Sequence, residues 1–473
     1  MPHKAVYTML ALSMVGAAAA QNTSNAVVLS APSQPPAGQN TIDSSFMSYS
    51  IEFNYMLDYA GNSSNPNIFS INMLENLNSL AGSYPYIRTN ALNQTFSRPW
   101  DDQPSRLSTG PKWFESFQQF PKSIKYLYGL NFYNGTEGSA NTLTQGLDAF
   151  IAIGENLYAF EIGNEVNGWA GTSRRSPGWT IFDYIREWKD ASSAIRDVIR
   201  QQPGYESATP YFQGCAYVAP RAQHLSGKHD LECGQYGEPV PTLKDNLLNH
   251  HHMTSLMYWH ELLGNQTAAL GIPYALGETN SISCQGTANV SDVFGAALWS
   301  IDYVLYVAGL NINRMYFHMG SVYRYAPWQP TTINGTAPFA KPLYYGNLFT
   351  AQALSGGNKQ VVSLLNETRL TAYGMYEAGQ LRSVAVINLN MFNTTQAIEE
   401  RATQGFALPE TVDWTAATAR RLTARGVDAK SRVTFAGRYV DEQGVLVGDE
   451  KIENVEDGLV VVGAGEAVLV SLS

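Results

Sequence analysis

The sequence predicts an α/β chain, a (β/α)8 TIM barrel over residues 41–350 followed by an all-β sandwich domain over 351–473. Three observations carry that expectation. Short apolar runs alternate with amphipathic segments through about eight rounds, the signature of a parallel strand repeatedly followed by a helix. Two of those runs end abruptly in Gly and Glu, at Phe160-Glu161-Ile162-Gly163-Asn164-Glu165 and at Tyr274-Ala275-Leu276-Gly277-Glu278. Beyond about Ala351 the period changes to two, between turn signals, as in a sandwich.

In chain order, Ala26-Val27-Val28-Leu29 reads as a strand before a Pro-rich turn. Nothing near the N-terminus offers it a barrel partner, so residues 21–40 are expected to join the sandwich. Ser48 to Phe53 reads as the first barrel strand, with Glu52 near its end, and Asn72 to Leu80 has helical spacing. Tyr86-Ile87-Arg88, Tyr126 to Phe132 and Tyr158 to Ile162 are the next strands, with a helix over Leu143 to Ile153. Ile181 to Ile199 is the clearest amphipathic helix. Tyr211-Phe212-Gln213, Leu247 to His252 and Ile272 to Leu276 are further strand candidates, and Met253 to Leu270 and Val293 to Leu310 read as helices. Met315 to His318 closes the barrel series. In the sandwich, Leu370 to Tyr376, Leu381 to Leu389, Arg432 to Phe435, Leu459 to Val462 and Ala467 to Leu472 alternate at period two.

Composition narrows the function classes. The 473 residues carry a formal net charge of −10 with no lysine-arginine stripe, which argues against a nucleic-acid partner. Residues 1–20 combine Lys4, an apolar core from Val6 to Val15 and Ala18-Ala19-Ala20, the plan of a secretory signal peptide. That apolar run is too short to span a bilayer and no later run is long enough, so no membrane anchor is expected. Glycosylation sequons stand at Asn22, Asn62, Asn93, Asn134, Asn265, Asn289, Asn334, Asn366 and Asn393, which points to a secreted, extracellular glycoprotein. Of the 3 cysteines, Cys215, Cys233 and Cys284, the first two are the expected disulfide. No Cys/His spacing suggests a metal, and His250-His251-His252 read as a strand cannot converge on one ion. No cofactor is expected.

The chemistry rests on the two Glu residues. In a parallel barrel, the residue just past a strand's C-terminal end points into the mouth where active sites lie. A Glu there is solvated, paired or working. Two of them, each behind a Gly that allows close approach, fit glycosidic-bond cleavage, which needs one acid and one nucleophile or base. The plainer alternative is that both face solvent at loop starts. The Asn164-Glu165 dipeptide together with the second Gly-Glu weighs against it.

At Gly163-Asn164-Glu165, with Gly277-Glu278 downstream, the sequence resembles the retaining glycosidases of clan A. With Ser50-Ile51-Glu52-Phe53, Leu276-Gly277-Glu278-Thr279-Asn280 and Tyr316-Phe317-His318-Met319-Gly320, it resembles the secreted fungal β-glucuronidases of glycoside hydrolase family 79, which also contains heparanase. That resemblance implies Glu165 as acid/base, Glu278 as nucleophile and Asn164 as partner of the sugar's 2-hydroxyl. Glu165 would carry its proton in the resting enzyme, helped by the negative charge of Glu278. Glu278 must stay ionised, and Arg88 at the end of the second strand is the expected donor. His252 stands where related barrels often carry an aromatic donor.

Glu52 is a candidate sugar ligand or one half of a salt bridge, and His318 a glycone contact or a core histidine. In the loop Ser321 to Pro330, Tyr325 is expected to hold a uronate carboxylate and Trp328 to wall the pocket, with loop packing the alternative for both. Arg324 is the second choice as carboxylate partner.

The expected function is a monomeric, retaining, exo-acting β-glucuronidase. It would release terminal glucuronic acid, with or without a 4-O-methyl group, from a glucuronic-acid-containing glycan. An endo-acting, heparanase-like enzyme needs a long cationic groove, and Arg174-Arg175 is the lone basic pair near a motif. A β-glucosidase or β-xylosidase of the same clan would share the fold, because specificity lives in loops. A non-catalytic carbohydrate-binding protein would have no use for both Glu residues.

Overall fold

The computed structural model describes residues 26–90, 109–132, 135–217 and 239–472. The signal segment, Asn22, Asn93, Asn134 and Cys233 lie outside the described residues, and with Cys233 the expected Cys215–Cys233 bridge. Strand β1 (Val27–Val28) comes first, and seven parallel strands of the barrel sheet follow. These are β2 (Met47–Glu52), β3 (Ile87–Asn90), β4 (Tyr126–Leu130), β5 (Leu157–Ile162), β6 (Phe212–Gln213), β7 (Ala275–Thr279) and β8 (Arg314–Met319). Their order across the sheet is β6-β5-β4-β3-β2-β8-β7. The connecting helices are α1 (Ile68–Ala81), α2 (Thr136–Ile153), α3 (Ile181–Arg200), α4 (His250–Leu256), α5 (Tyr258–Ala269), α6 (Phe294–Ala308) and α7 (Pro342–Ala353).

The sheet curls, and a side-chain contact demonstrates it. Three strand spacings separate β3 from β7, roughly 14 Å if flat. Yet Arg88 on β3 lies 3.2 Å from Glu278 on β7.

The interior is layered as a barrel's should be. Tyr86, Leu127, Ala159, Ala275 and Tyr316 pack together as an apolar layer. Two residues further along the strands stand Arg88, Gly129, Glu161, Gly277 and His318, so every position of one inward face turns polar or side-chain-free at the C-terminal end. Register agrees, since Ser50 pairs with both Arg88 and His318.

The sixth barrel strand, expected at Leu247 to His252, is absent. That stretch is a π-helical turn, Leu243–Leu247, running into α4. Thr242 and Asn249 cap the two pieces, each accepting a backbone N–H three residues on. Two caps within eight residues outweigh the strand signal of Leu247-Leu248. His252 therefore sits in a helix and not at a strand end. Helix α3 follows the sequence expectation closely because Thr180 and Asp183 close a reciprocal capping box at its start.

In the sandwich, β9 (Lys359–Asn366), β10 (Leu370–Glu377), β11 (Gln380–Asn388), β12 (Thr403–Ala407), β13 (Thr418–Thr423), β14 (Leu459–Gly463) and β15 (Glu466–Ser471) form two sheets. One sheet runs β9-β10-β11-β15-β13 and the other β1-β12-β14, with Val27–Val28 parallel to Phe406–Ala407. The large sheet is apolar on both faces. Val384, Val386, Val468 and Val470 pack against the small sheet, whereas Ala385, Ile387, Ala467 and Leu469 join the barrel's own core. Helix α6 is the hinge of that contact: it is buried along nearly its whole length, and the first N–H groups of the helix donate to Ala429 and Val427 of the sandwich. Among the described residues no helix is long and apolar enough to cross a membrane.

Candidate active site

Glu278 is placed by an irregularity. Met315 pairs with Leu276 and Phe317 with Thr279, so three steps on β7 match two on β8. A bulge of this kind re-aims a side chain, and this one falls at Gly277-Glu278. Gly277 also lies directly against the guanidinium. A Cβ there would lie 3.4 Å from Arg88 Nε, so a branched side chain would collide with the guanidinium.

Glu165 follows β5 through Gly163, whose φ of +80° and a virtual Cβ 2.8 Å from Val166 Cγ1 both demand glycine. Glu165 itself adopts φ 51°, a left-handed conformation that costs a non-glycine residue about 1 kcal/mol. The Gly168 N–H holds it by donating to the Glu165 carbonyl at 3.0 Å. Asn164, beside it, is buried and accepts from Arg88 Nη2 at 2.9 Å.

Arg88 organises the floor. It is 2% exposed, and a guanidinium so buried must be paired. Nε donates to both Glu161 oxygens at 3.2 and 3.3 Å and Nη2 to Glu161 Oε1 at 2.5 Å. Nη1 donates to Ser50 Oγ at 2.9 Å and to Glu278 Oε2 at 3.2 Å. Burial works against its charge, but Glu161 and then Glu278 outweigh it and hold the group more firmly protonated than usual.

On the other side of Glu278, His318 Nε2 lies 3.6 Å from Oε1 and 3.3 Å from Glu52 Oε2. Burial again disfavours the charged ring, yet the Glu278 charge and the Glu52 hydrogen bond prevail, and the His318 pKa is raised from 6.5. A group whose folded pKa is raised stabilises the fold fully below its unfolded value and less as pH climbs through the folded one. The stability of wild type relative to His318→Gln is therefore expected to be greatest below about pH 6.5 and to shrink above it, read from urea midpoints across pH 5–9.

Tyr325, in the loop after β8, is buried with its ring against His318, centroids 6.2 Å apart. Its hydroxyl makes no protein hydrogen bond among the described residues. Burial first, then the Glu278 and Glu52 charges, push its pKa well up, so it stays a neutral O–H donor. The loop is pinned from several sides. Asn280 Nδ2 donates to the His318 and Tyr325 carbonyls, Arg324 Nε to Gly286 O at 2.6 Å and Lys341 Nζ to Tyr323 O at 2.6 Å.

Three expectations fail here. Trp328 is a core pillar and no pocket wall. It is 1% exposed, its indole N–H donates to Ser70 Oγ on α1 at 3.0 Å, and it packs edge-on against Tyr49, Tyr59 and Tyr344. His252 is carried by α4, close to Asn246, and the strand that was to deliver it to the barrel mouth does not exist. Arg324 spends its guanidinium on the carbonyls of Gly286 and Cys284. Sequence reasoning missed Glu161, Ser50 and Gln213, the last donating to Glu161 Oε2 at 2.7 Å. A Glu inside an apolar strand was itself a signal that a partner must exist.

The C-terminal β domain, over residues 372–469, matches the model described as the glycosyl hydrolase family 79 C-terminal beta domain. The chain is 33% identical to a β-glucuronidase of Aspergillus niger, covering 87% of this chain and 86% of that protein. It belongs to glycoside hydrolase family 79. A second relative, a β-glucuronidase of Neurospora crassa, is 30% identical across 97% of this chain and 99% of its own length. A solved 4-O-α-L-rhamnosyl-β-D-glucuronidase from Fusarium oxysporum superposes with a TM-score of 0.75 over 94% of this chain and 100% of that one, at 22% identity, and so shares the fold. A family 51 α-L-arabinofuranosidase from Bifidobacterium longum shares it more loosely, with a TM-score of 0.58 over 95% of this chain and 99% of its own. Membership of family 79 makes the chain a glycoside hydrolase and gives the two carboxylates at the strand ends a chemical setting.

Proposed function

We propose that this family 79 enzyme is a secreted, exo-acting β-glucuronidase that cleaves terminal β-linked glucuronic acid with retention of configuration. The observation that carries the reading is the row of alternating charge with Glu278 at its centre and the buried Tyr325 ring packed against His318 in that row. Arg88 and His318 flank Glu278 and keep it ionised, as a nucleophile must be. In the first step Glu165 gives its proton to the glycosidic oxygen while Glu278 attacks the anomeric carbon, forming a glycosyl ester and releasing the aglycone. In the second, Glu165 takes a proton from water, which attacks the same carbon and frees Glu278. The mechanism calls for the two carboxyls about 5–5.5 Å apart. Esterification removes the Glu278 charge, which eases Glu165 into its role as base.

Asn164, oriented by Arg88, is the partner for the 2-hydroxyl, and Glu52 for a further ring hydroxyl. Tyr325 reads the uronate carboxylate, since a neutral donor with an uncommitted hydroxyl suits an anion that sits close to Glu278 and Glu52. An endo-acting enzyme on a polyanion is disfavoured by the fate of the basic pair. Arg175 is buried against Glu187 and ringed by Phe132, Trp169 and Trp179, which leaves only Arg174 reaching solvent. Secretion as a glycoprotein is supported by the exposure of the sequon residues Asn62, Asn265, Asn289, Asn334 and Asn366, while Asn393 is half-buried.

The test compares p-nitrophenyl β-D-glucuronide with the β-glucoside in wild type and Tyr325→Phe. Wild type is expected to prefer the glucuronide strongly. Tyr325→Phe should lose about 10- to 100-fold in kcat/KM on the glucuronide, the worth of one hydrogen bond to a charged group, and little on the glucoside. Equal losses on both would contradict the role of Tyr325, and preference for the glucoside would contradict the uronate reading.

A further inference from the structure

Arg88 could hold Glu278 in either of two ways. Facing it alone, the guanidinium fork would grip both carboxylate oxygens, the geometry Arg favours. It does not. Nε and Nη2 are turned onto Glu161, and Nη1, shared with Ser50, is what reaches Glu278. Glu161 is 1% exposed, on the inward face near the C-terminal end of β5, and Gln213 on β6 fixes its Oε2 from the far side at 2.7 Å. The barrel floor thus reads Gln213, Glu161, Arg88, Glu278, His318, Glu52, with the ionisable groups alternating in sign.

We propose that Glu161, held by Gln213, is a positioning residue that draws the Arg88 fork away from the nucleophile and balances its charge, so that Glu278 is oriented and ionised yet keeps its nucleophilic lone pairs. The inference rests on the reading of Glu278 as nucleophile. A carboxylate gripped at both oxygens by an uncompensated cation is a weaker base and attacks more slowly, so the site needs a second anion on Arg88. Outer-layer partners of this kind are typically worth 10- to 100-fold in activity.

The test measures pH profiles of kcat/KM, with kcat and KM, for wild type, Glu161→Gln, Glu161→Asp and Gln213→Met on p-nitrophenyl β-D-glucuronide. The acid limb of kcat/KM reports the ionisation of Glu278 in the free enzyme. Removing the Glu161 charge strengthens the pull of Arg88 on the Glu278 anion and removes a nearby like charge. Both effects lower its pKa, so the Glu161→Gln acid limb is expected to move down by about half a pH unit or more. Its kcat should fall about 10- to 100-fold with KM within about threefold of wild type. Glu161→Asp, which keeps the charge, should return the limb to its wild-type place. A Glu161→Gln limb that stays put, whatever happens to kcat, overturns the proposal. Should Glu161→Gln fail to fold, Gln213→Met decides, since it leaves every charge in place: kcat about 3- to 10-fold down at unchanged KM and melting temperature supports the proposal, and wild-type kcat overturns it. Glu278→Ala is run alongside. Residual wild-type turnover there would sink the nucleophile itself, whereas an inactive Glu278→Ala beside an unshifted Glu161→Gln would sink this inference alone.

Discussion

Replacing Glu278 with Ala is expected to abolish turnover, with kcat on p-nitrophenyl β-D-glucuronide down by about 10⁴-fold or more. No neighbour can stand in for it. Glu52 and Glu161 are the other carboxylates of the floor, but each is 1–3% exposed and engaged with His318 or Arg88. Folding should survive the change, because Glu278 is partly exposed and Arg88 keeps its pairing with Glu161. A small nucleophile such as azide should restore part of the rate by entering the space the carboxylate leaves, and would give the α-glycosyl azide. Azide rescue from Glu165→Ala instead, with that product, would exchange the two roles.

Glu165→Gln is expected to act selectively. General acid catalysis contributes typically 10²- to 10⁴-fold, and only where the leaving group needs a proton. Hydrolysis of glycosides with alcohol aglycones should therefore fall by about 10³-fold or more, while a glucuronide of dinitrophenol should lose far less in its first step. The alkaline limb of the kcat/KM profile should disappear with the proton that produced it. Equal losses on both kinds of leaving group would mean that Glu165 positions substrate and does not donate a proton. The left-handed backbone at Glu165 adds a structural reading of the same residue. Its strain persists because Gly163, the turn over Val166–Gly168 and the buried Val166 over-determine it, as is common where a catalytic side chain must be aimed.

Local rules reached some of these features and could not reach others. The Gly-Glu strand endings announced both carboxylates, because a charge at the end of an apolar run has few bland explanations. Arg88 was legible as the partner of Glu278 for the same reason. Glu161 sat in plain view one turn of the pleat before Gly163, but its partners lie 73 and 52 residues away, and no local rule supplies them. Trp328 suggested a pocket wall because it follows the last barrel strand closely, and its true partner, Ser70, is 258 residues distant. Leu247 to His252 failed differently. Leu247-Leu248 suggested a strand, but Thr242 before the stretch and Asn249 within it were helix caps in sequence too, and capping chemistry won. In the sandwich, alternate valines and alanines face two different cores, so period two marked the strands without revealing that both faces are covered.

The double displacement passes through a glucuronyl ester to Glu278, and trapping that ester is its direct test. A 2-deoxy-2-fluoro-β-D-glucuronyl fluoride slows both steps but leaves the second slower, so the ester should accumulate. Peptide mass spectrometry is then expected to find one label, on the carboxylate of Glu278, with none in Glu278→Ala. A label on Glu165, Glu52 or Glu161, or turnover with inversion and no label at all, would contradict it.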